Sequence, residues 1–250
     1  MKNLKISIIT VVKNNKDTIE KNILSLLNQN YKNYEHIIID GGSEDGTVEV
    51  INKYKKHIKY FISERDNGIY DAMNKGIDRV EGDIIGILNA DDYYFSNALE
   101  IVNNYFEKYD EIDFLFGSVK KHTLQTGFYP KKIFWTFGFY TSHSVGFFIK
   151  SEAQKRIGYY NTKYKYSSDY DLFFKMIVKF KMKGMATSKN EVMGYFGLNG
   201  LSSRLKYIDY LNENTQIRLD NGQNKFFVWC IHYLRFFKRV FRIIKEQIKT

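Results

Sequence analysis

Two adjacent carboxylates, Asp91 and Asp92, follow closely after the apolar run Ile84–Leu88. Such a run indicates a buried β-strand, so the acids are expected at the carboxyl end of that strand. Ligands of open α/β sheets bind at this end of the strands. Carboxylate oxygens there suit Mg²⁺ or Mn²⁺ carrying a phosphate group. By itself, the pair could equally form a turn or cap the helix predicted to begin near Ser96.

Three earlier predicted strands also end in polar residues, which favours the chemical interpretation. These strands are 5–12 with Thr10, 35–39 with Asp40 and 58–62 with Asp66. Predicted helices lie between the strands, and this alternation is typical of a parallel sheet with right-handed crossovers. Because the carboxyl ends of parallel strands share one rim, we expect these side chains to gather there. Gathered carboxylates would repel a phosphate without a cation, so the rim is predicted to hold a divalent metal.

Length and composition bound the class of protein. A chain of 250 residues with 44% hydrophobic content can form one large or two small domains. Cys230 is the only cysteine, and the five histidines do not join it at metal-ligand spacing, so a reducing compartment fits. The first predicted strand begins within a few residues of Met1, and no run reaches the roughly 18 apolar residues of a membrane span. A cytoplasmic location is therefore expected.

The C-terminal region 225–250 holds most of the excess positive charge. The chain has a formal net charge of +10, and this region contributes seven Lys or Arg residues against Glu246 alone, a net +6. Its apolar and basic residues recur at helical spacing on opposite sides. This pattern predicts a basic amphipathic helix in peripheral contact with the inner face of a membrane, although the helix could instead pack against its own domain or a partner. Charge confined to a tail also argues against nucleic acid as a partner.

The polar strand ends lie within five segments whose order resembles glycosyltransferase family 2, most closely its members in bacterial cell-surface polysaccharide biosynthesis. The segments are 9–14, 25–31, 38–47, 63–76 and 88–92. The resemblance is continuous over roughly the first hundred residues and looser over the next hundred. It implies the α/β GT-A fold, a Rossmann-like, mostly parallel sheet flanked by helices. Residues 1–115 would be the nucleotide-sugar-binding half, 116–205 the acceptor-binding half of the same domain, and 206–250 a helical amphipathic tail.

The resemblance also implies roles for single residues at the rim. Thr10 and Asp40 are expected to hold the base and ribose of the nucleotide, and Asp66 to make a second contact to the nucleoside. The alternative for Asp40 is a turn-forming role before glycine. Asp91 matches the metal-binding acid of the family's Asp-x-Asp signature, with Asn89 in place of its first acid. One strong protein ligand, donor phosphates and water would then coordinate Mn²⁺ or Mg²⁺.

Three residues are expected nearer to the sugar. Asp92 would lie beside the transferred sugar. Asp169, at the start of a predicted helix, matches the catalytic base of the family, although Ser168 replaces the usual preceding Glu. It would take the proton of the acceptor hydroxyl; the alternatives are a simple helix cap, or Asp171 as the base. His143 resembles a family histidine near the donor or acceptor pocket and is explained equally well as structural.

The predicted function is therefore that of an inverting, metal-dependent glycosyltransferase. It would move a sugar from a nucleoside diphosphate donor, UDP-linked by expectation, to a hydroxyl of a glycan or lipid-linked glycan. A single displacement fits because one base and no enzymatic nucleophile are evident. One alternative is a metal-dependent sugar nucleotidyltransferase, disfavoured because no basic, glycine-rich loop follows the first strand. The other is a non-enzymatic, basic nucleic-acid-binding protein.

Overall fold

Strands and helices alternate along the chain, and a computed structural model describes them over residues 3–135, 139–197 and 206–247. The strands are β1 (Ile6–Val12), β2 (Tyr34–Asp40), β3 (Tyr60–Ser63), β4 (Ile84–Ile87), β5 (Tyr93–Tyr94), β6 (Phe114–Phe116), β7 (Ser118–Lys120), β8 (Leu124–Gln125), β9 (Phe147–Lys150), β10 (Gly184–Ala186) and β11 (Val192–Tyr195). The α-helices are α1 (Lys16–Leu27), α2 (Thr47–Lys53), α3 (Ile69–Ile77), α4 (Ala98–Lys108), α5 (Ser151–Ile157), α6 (Ser168–Phe174), α7 (Tyr207–Asp220) and α8 (Lys225–Gln247).

A seven-stranded sheet with the order β10-β6-β9-β4-β1-β2-β3 forms the centre of the fold. β1 pairs in parallel with β2 and β4, and β2 pairs in parallel with β3. Only β9 breaks the pattern within the described residues, because it runs antiparallel to both β4 and β6. The predicted mostly parallel sheet is therefore confirmed. Its strands come from both sides of residue 115, and the predicted boundaries between the three parts of the chain stay predictions.

Helices cover both faces of this sheet, which explains why its central strands are continuously apolar. All residues of β1 and β4 are buried. On one face Ile9 packs in a cluster with Met73 of α3, and on the other Ile8 packs in a cluster with Leu99 and Phe106 of α4. The central strands are thus fixed in place by packing on two sides, and so are the loops that follow them.

A smaller sheet with the order β5-β11-β7-β8 adjoins the point where β4 ends. β5 begins directly after Asp92 and pairs antiparallel with β11, through Tyr94 with Gly194 and Tyr93 with Tyr195. This pairing brings the end of β11 beside the acid pair. The predicted helical tail is confirmed as α7 and α8, while residues 248–250 lie outside the described part of the chain.

Replacing Gly86, in the middle of β4, tests the tight packing of the sheet. A Cβ atom at Gly86 would lie 2.6 Å from Cε1 of Phe148 and 2.9 Å from Cδ1 of Ile8, closer than packed atoms tolerate. Gly86→Ala is expected to lower the free energy of unfolding by about 1–3 kcal/mol, measured by urea unfolding. Combined with Phe148→Leu, it should cost less than the sum of the single changes. An unchanged unfolding midpoint would contradict the packing described here.

Candidate active site

The predicted strand ends do share one rim of the sheet. β2 and β4 lie on either side of β1 and both run parallel to it, so that Asp40 and the Asp91 loop emerge in the same direction. The end of β4 is held to β1 by a hydrogen bond from the Leu88 amide to the Ile9 carbonyl, at 3.0 Å. The rim therefore carries acids from successive strands, as expected.

A pocket of about 710 Å³ opens beside the end of β4. Asn89, Asp91, His143 and Asp169 all line it, so the fold brings together four of the residues singled out from the sequence. Among the described residues that line this pocket, Asp91 and Asp169 are the two carboxylates. The remaining predicted site residues, Thr10, Asp40, Asp66 and Asp92, lie near the rim without lining the pocket.

Asp92 is buried and anchors the acid loop rather than facing the pocket. Its side chain is only 2% exposed. One carboxyl oxygen accepts a hydrogen bond from the Gly197 amide at 2.6 Å, and the other accepts one from the Ser144 hydroxyl, which in turn accepts the Asn89 amide at 2.8 Å. Burial, reinforced by the neighbouring Asp91 charge, raises the pKa of Asp92 to about 8. The predicted position beside the transferred sugar stays a prediction.

The donor atoms at Asp91 and Asn89 fit a divalent cation. The Asn89 Oδ1 atom is buried, with no hydrogen-bond partner among the described residues. Asp91 packs so closely on Gly197 that a Cβ there would lie 2.5 Å from its Oδ2. Within the described residues no group of three or more His, Cys, Asp or Glu could hold a metal. The protein therefore offers one carboxylate and one amide oxygen, and a phosphate-bearing ligand with water would supply the rest.

Asp169 is held by two tyrosines rather than acting as a helix cap. Its Oδ1 accepts a hydrogen bond from the Tyr70 hydroxyl at 3.1 Å and its Oδ2 one from the Tyr140 hydroxyl at 3.2 Å. Burial, together with the Asp169 charge, raises the pKa of both tyrosines well above the ordinary value, so they remain protonated donors. The fallback base Asp171 is instead buried against Lys175, at 2.6 Å. Asp169 thus lines the pocket while Asp171 does not, and the role of Asp169 as the base stays a prediction.

His143 lines the pocket as a neutral, packed ring. Its Nε2 lies 2.7 Å from the Tyr160 hydroxyl, and its ring stacks on Phe147 with centroids 5.9 Å apart. Burial lowers the pKa of His143, which keeps the imidazole uncharged. The structural alternative is thus observed, and a direct contact to donor or acceptor stays a prediction.

Three hydroxyl-bearing residues that sequence reasoning did not single out also line the pocket. They are Thr141, Ser142 and Ser167. Their side-chain oxygens are buried, and none has a hydrogen-bond partner among the described residues. Buried polar groups are normally paired, so these hydroxyls are suited to meet a polar ligand. The segment carrying two of them ends at Val145, whose φ of +69° is strained for a β-branched residue. Such strain is typical of functional sites.

Thr10 reaches the acid loop indirectly. It is fully buried in β1, where its hydroxyl lies 2.9 Å from Nε2 of His36 and donates to Asn22 Oδ1 at 3.3 Å. The Asn22 amide nitrogen donates in turn to the carbonyls of Asn89 at 2.8 Å and Asp92 at 3.0 Å. The His36–Thr10–Asn22 chain therefore positions the acid loop from beneath. A direct contact from Thr10 to a nucleotide stays a prediction.

Asp40 and Asp66 lie side by side farther along the rim. The Asp40 carboxylate is buried and accepts hydrogen bonds from the amides of Gly42 at 3.1 Å and Ser43 at 2.9 Å, as in the turn-forming alternative. A Cβ at Gly41 would lie 2.2 Å from Oδ2 of Asp66, so only glycine permits this approach. Their roles toward the nucleoside stay predictions.

Solved structures with a similar architecture define the fold. TarS from S. aureus, solved in complex with UDP-GlcNAc, superposes on 91% of this chain and 70% of its own, with a TM-score of 0.71 and 16% identity. The mannosyltransferase PcManGT from Pyrobaculum calidifontis, solved with GDP-Man and Mn²⁺, covers 92% of this chain and 68% of its own, with a TM-score of 0.66 and 14% identity. The fold is thus the GT-A fold of glycosyltransferases, as expected.

Sequence comparisons identify the family of the chain. The family described as Glycosyl transferase family 2 matches residues 7–179, and the chain belongs to this family. An uncharacterized glycosyltransferase of Rickettsia typhi is 32% identical over 186 residues, which are 69% of this chain and 58% of that protein. TuaG of Bacillus subtilis, named for teichuronic acid biosynthesis, is 34% identical over 100 residues, 38% of this chain and 39% of its own. The chain thus spans little more than half of the Rickettsia relative.

Changing His36 tests the buried chain of hydrogen bonds beneath the acid loop. Burial lowers the pKa of His36 from 6.5 to about 3, so the folded protein holds it neutral while the unfolded chain protonates it below pH 6.5. Stability present above pH 6.5 is therefore lost as pH falls towards 3. Since this costs about 1.4 kcal/mol per pH unit, His36→Gln should flatten the fall in unfolding free energy between pH 6 and 4 by about that amount. An unchanged slope in chemical denaturation would contradict a neutral, buried His36; the exposed His122→Gln serves as control.

Proposed function

We propose that this protein is an inverting, metal-dependent glycosyltransferase. It transfers a sugar from a nucleoside diphosphate donor, UDP-linked in our proposal, to a hydroxyl of a glycan or lipid-linked glycan in surface polysaccharide biosynthesis. The observation that carries the proposal is the common pocket of Asp91 and Asp169, two carboxylates from distant parts of the chain. Asp91 is suited to bind a metal that carries a phosphate, and Asp169 is suited to accept a proton.

The donor is held at the Asp91 side of the pocket in this proposal. Asp91 and Asn89 would hold Mn²⁺ or Mg²⁺, which when bound neutralises charge on the departing diphosphate. Lys121 lines the same pocket, with its Nζ 3.9 Å from the centre of the Phe196 ring and no ion pair to a described residue. Its ammonium group is therefore available to the phosphates. The nucleotides in the two structural neighbours, UDP-GlcNAc and GDP-Man, support a nucleotide-sugar donor without selecting one.

Asp169 is the base in the proposed single displacement. The acceptor hydroxyl oxygen bonds to the anomeric carbon while the bond from that carbon to the donor phosphate breaks, and UDP leaves. Asp169 takes the hydroxyl proton, and the Tyr70 and Tyr140 hydroxyls hold its carboxylate in position. Since one face of the sugar receives the acceptor while the other loses UDP, the configuration inverts. In this scheme the buried Asp92, through its hydrogen bonds to Ser144 and the Gly197 amide, holds the loop that carries Asp91 in place.

The acceptor and the cellular location complete the proposal. A glycan carried on a lipid would be met at the inner face of the membrane, where residues 225–250 would make the peripheral contact. The enzyme would therefore work in the cytoplasm at the membrane surface. TuaG, which carries the name of a surface-polymer pathway, supports this assignment by its similarity over 100 residues.

Removing the base separates transfer from donor binding. Asp169→Asn keeps a similar shape and can still accept one tyrosine hydrogen bond, but the amide cannot take up a proton. Sugar transfer should fall by about 10²- to 10⁴-fold, while the dissociation constant for UDP stays unchanged in calorimetry. Asp17→Asn, an exposed acid on α1, is the matched control and should retain full activity. Full activity of Asp169→Asn would rule out this residue as base, and a retained anomeric configuration of the product would rule out the single displacement.

Removing the metal ligand tests the donor side. Wild-type protein is screened with UDP-, GDP- and TDP-sugars, with and without Mn²⁺ or Mg²⁺, and released nucleotide and pyrophosphate are measured. We expect UDP to be released only when metal is present, and Asp91→Asn to lose this metal-dependent turnover because the carboxylate ligand is gone. Metal-independent release that survives Asp91→Asn would contradict the metal role. Release of pyrophosphate would indicate a nucleotidyltransferase instead.

A further inference from the structure

Helix α8 packs on the rest of the protein by its less apolar side. Its inward residues include Val228 and Ile231, and His232, whose Nδ1 lies 2.9 Å from the Thr215 hydroxyl of α7. Farther along, the Arg235 guanidinium donates to the Trp135 carbonyl at 2.9 Å. The side of α8 that faces the domain thus contains two polar residues satisfied by specific hydrogen bonds.

The outward side of α8 is a continuous apolar surface. Large apolar residues exposed on it are Phe226, Trp229, Tyr233, Leu234, Phe236, Phe237, Phe241, Ile243 and Ile244. At about 100° per residue, they spread over roughly half of the circumference of the helix, and Lys225 in the first turn is the one charged residue within that arc, at its edge. Phe226 is 80% exposed, Leu234 70% and Phe241 68%. A helix on the surface of a water-soluble domain normally turns such a face towards the core, so this surface calls for another environment.

The basic residues of α8 flank its apolar surface, and one of them reaches the pocket. Lys238, Arg242 and Lys245 are exposed along the edge of the apolar surface. Arg239 lines the pocket itself, where its guanidinium lies 5.6 Å from the centre of the Tyr207 ring of α7. Tyr207 and Tyr210 of α7 line the pocket too. The two C-terminal helices therefore form a wall of the pocket as well as the apolar surface.

We propose that the outward surface of α8 lies in the interface of an anionic lipid bilayer and so turns the mouth of the pocket towards the lipid headgroups. Aromatic and aliphatic side chains flanked by Lys and Arg are the composition that binds such an interface. Among the described residues no helix is long and apolar enough to cross a membrane, which leaves α8 lying flat on it. The flanking cations then meet the lipid phosphates. The inference deepens the proposed function, which already has residues 225–250 at the membrane, and rests on it where the acceptor is treated as lipid-borne.

Vesicle flotation tests the surface directly, with full-length protein and vesicles of phosphatidylglycerol and phosphatidylcholine. We expect wild-type protein to float with these vesicles and Phe237→Ser/Phe241→Ser to lose at least about tenfold in partition, because two inserted rings are gone. Leu24→Ser/Leu124→Ser, which removes two exposed apolar residues elsewhere, should leave partition unchanged. Lys238→Gln/Lys245→Gln should weaken binding about fivefold per lysine on anionic vesicles and not on neutral ones. Equal binding by all variants would overturn the proposal.

The single cysteine allows the orientation to be measured. Cys230 is exposed on α8 and lies on its apolar side, so an environment-sensitive dye there should shift to the blue on vesicles and be quenched by nitroxides on the lipid chains. In a Cys230→Ser background, a dye at Lys165→Cys on the pocket wall should be quenched by nitroxides at the headgroups. A dye at Lys53→Cys, at the end of α2 and the opposite rim of the sheet, should not be quenched. Quenching at residue 53, or none at residue 230, would overturn this orientation.

A second copy of the chain is the competing occupant of the apolar surface. If wild-type protein dimerises in light scattering, ignores vesicles and becomes monomeric with Phe237→Ser/Phe241→Ser, the membrane proposal is overturned. The test is independent of the enzymatic proposal because flotation needs no catalysis. If the protein releases UDP normally but does not float with vesicles, the membrane contact of α8 is overturned and the proposed sugar transfer is not. Flotation with no turnover of any nucleotide sugar would sink the proposed function alone.

Discussion

The site depends on the hydrogen bonds of one buried carboxyl group, that of Asp92, which constrain the loop after β4. A buried carboxyl left without partners would cost several kcal/mol, so its hydrogen bonds to Ser144 and to the Gly197 amide tie three separate segments together. These segments are the loop after β4, the strained stretch before β9 and the end of β11. Since Asp91 is the preceding residue in the chain, its direction into the pocket follows from this anchoring. The pocket is thus shaped around an acid that does not itself line it.

The two acids at the two ends of the site are held in opposite ways. Asp92 is enclosed, and burial raises its pKa to about 8. Asp169 keeps contact with the pocket, and its partners are tyrosine hydroxyls whose raised pKa values make them permanent donors. The two carboxylates therefore differ in their surroundings, since Asp92 is enclosed and Asp169 lines the pocket.

The apolar pattern of the sequence predicted the strands and the rim because both depend on local information. The apolar run at residues 84–88 predicts a buried strand without reference to any other part of the chain. Asp91 comes three residues later, so its position at the end of that strand is predicted too. Thr10 shows the limit of this reasoning: it pairs with Ile38 inside β1, two residues before the strand ends, and its side chain is enclosed by the sheet and α1. The hydrogen bonds of Ser144 and Gly197 to Asp92 were not predicted from the sequence. They depend on the pairing of distant strands, for which no local signal exists. The left-handed Val145 likewise has no signature in sequence.

Helix α8 shows the same limit at the level of a whole element. Hydrophobic periodicity predicts that a helix has two unlike sides, but it does not say which side meets the protein. In water the favourable choice is to bury the apolar side, and α8 does the reverse: His232 and Arg235 face the domain with their hydrogen bonds satisfied, while rings such as Phe237 face outward. Because the inward polar contacts are specific, this orientation is built into the fold. The same helix that turns its apolar side away from the core also contributes Arg239 to the wall of the pocket, so its orientation on the domain bears on the site as well as on the surface.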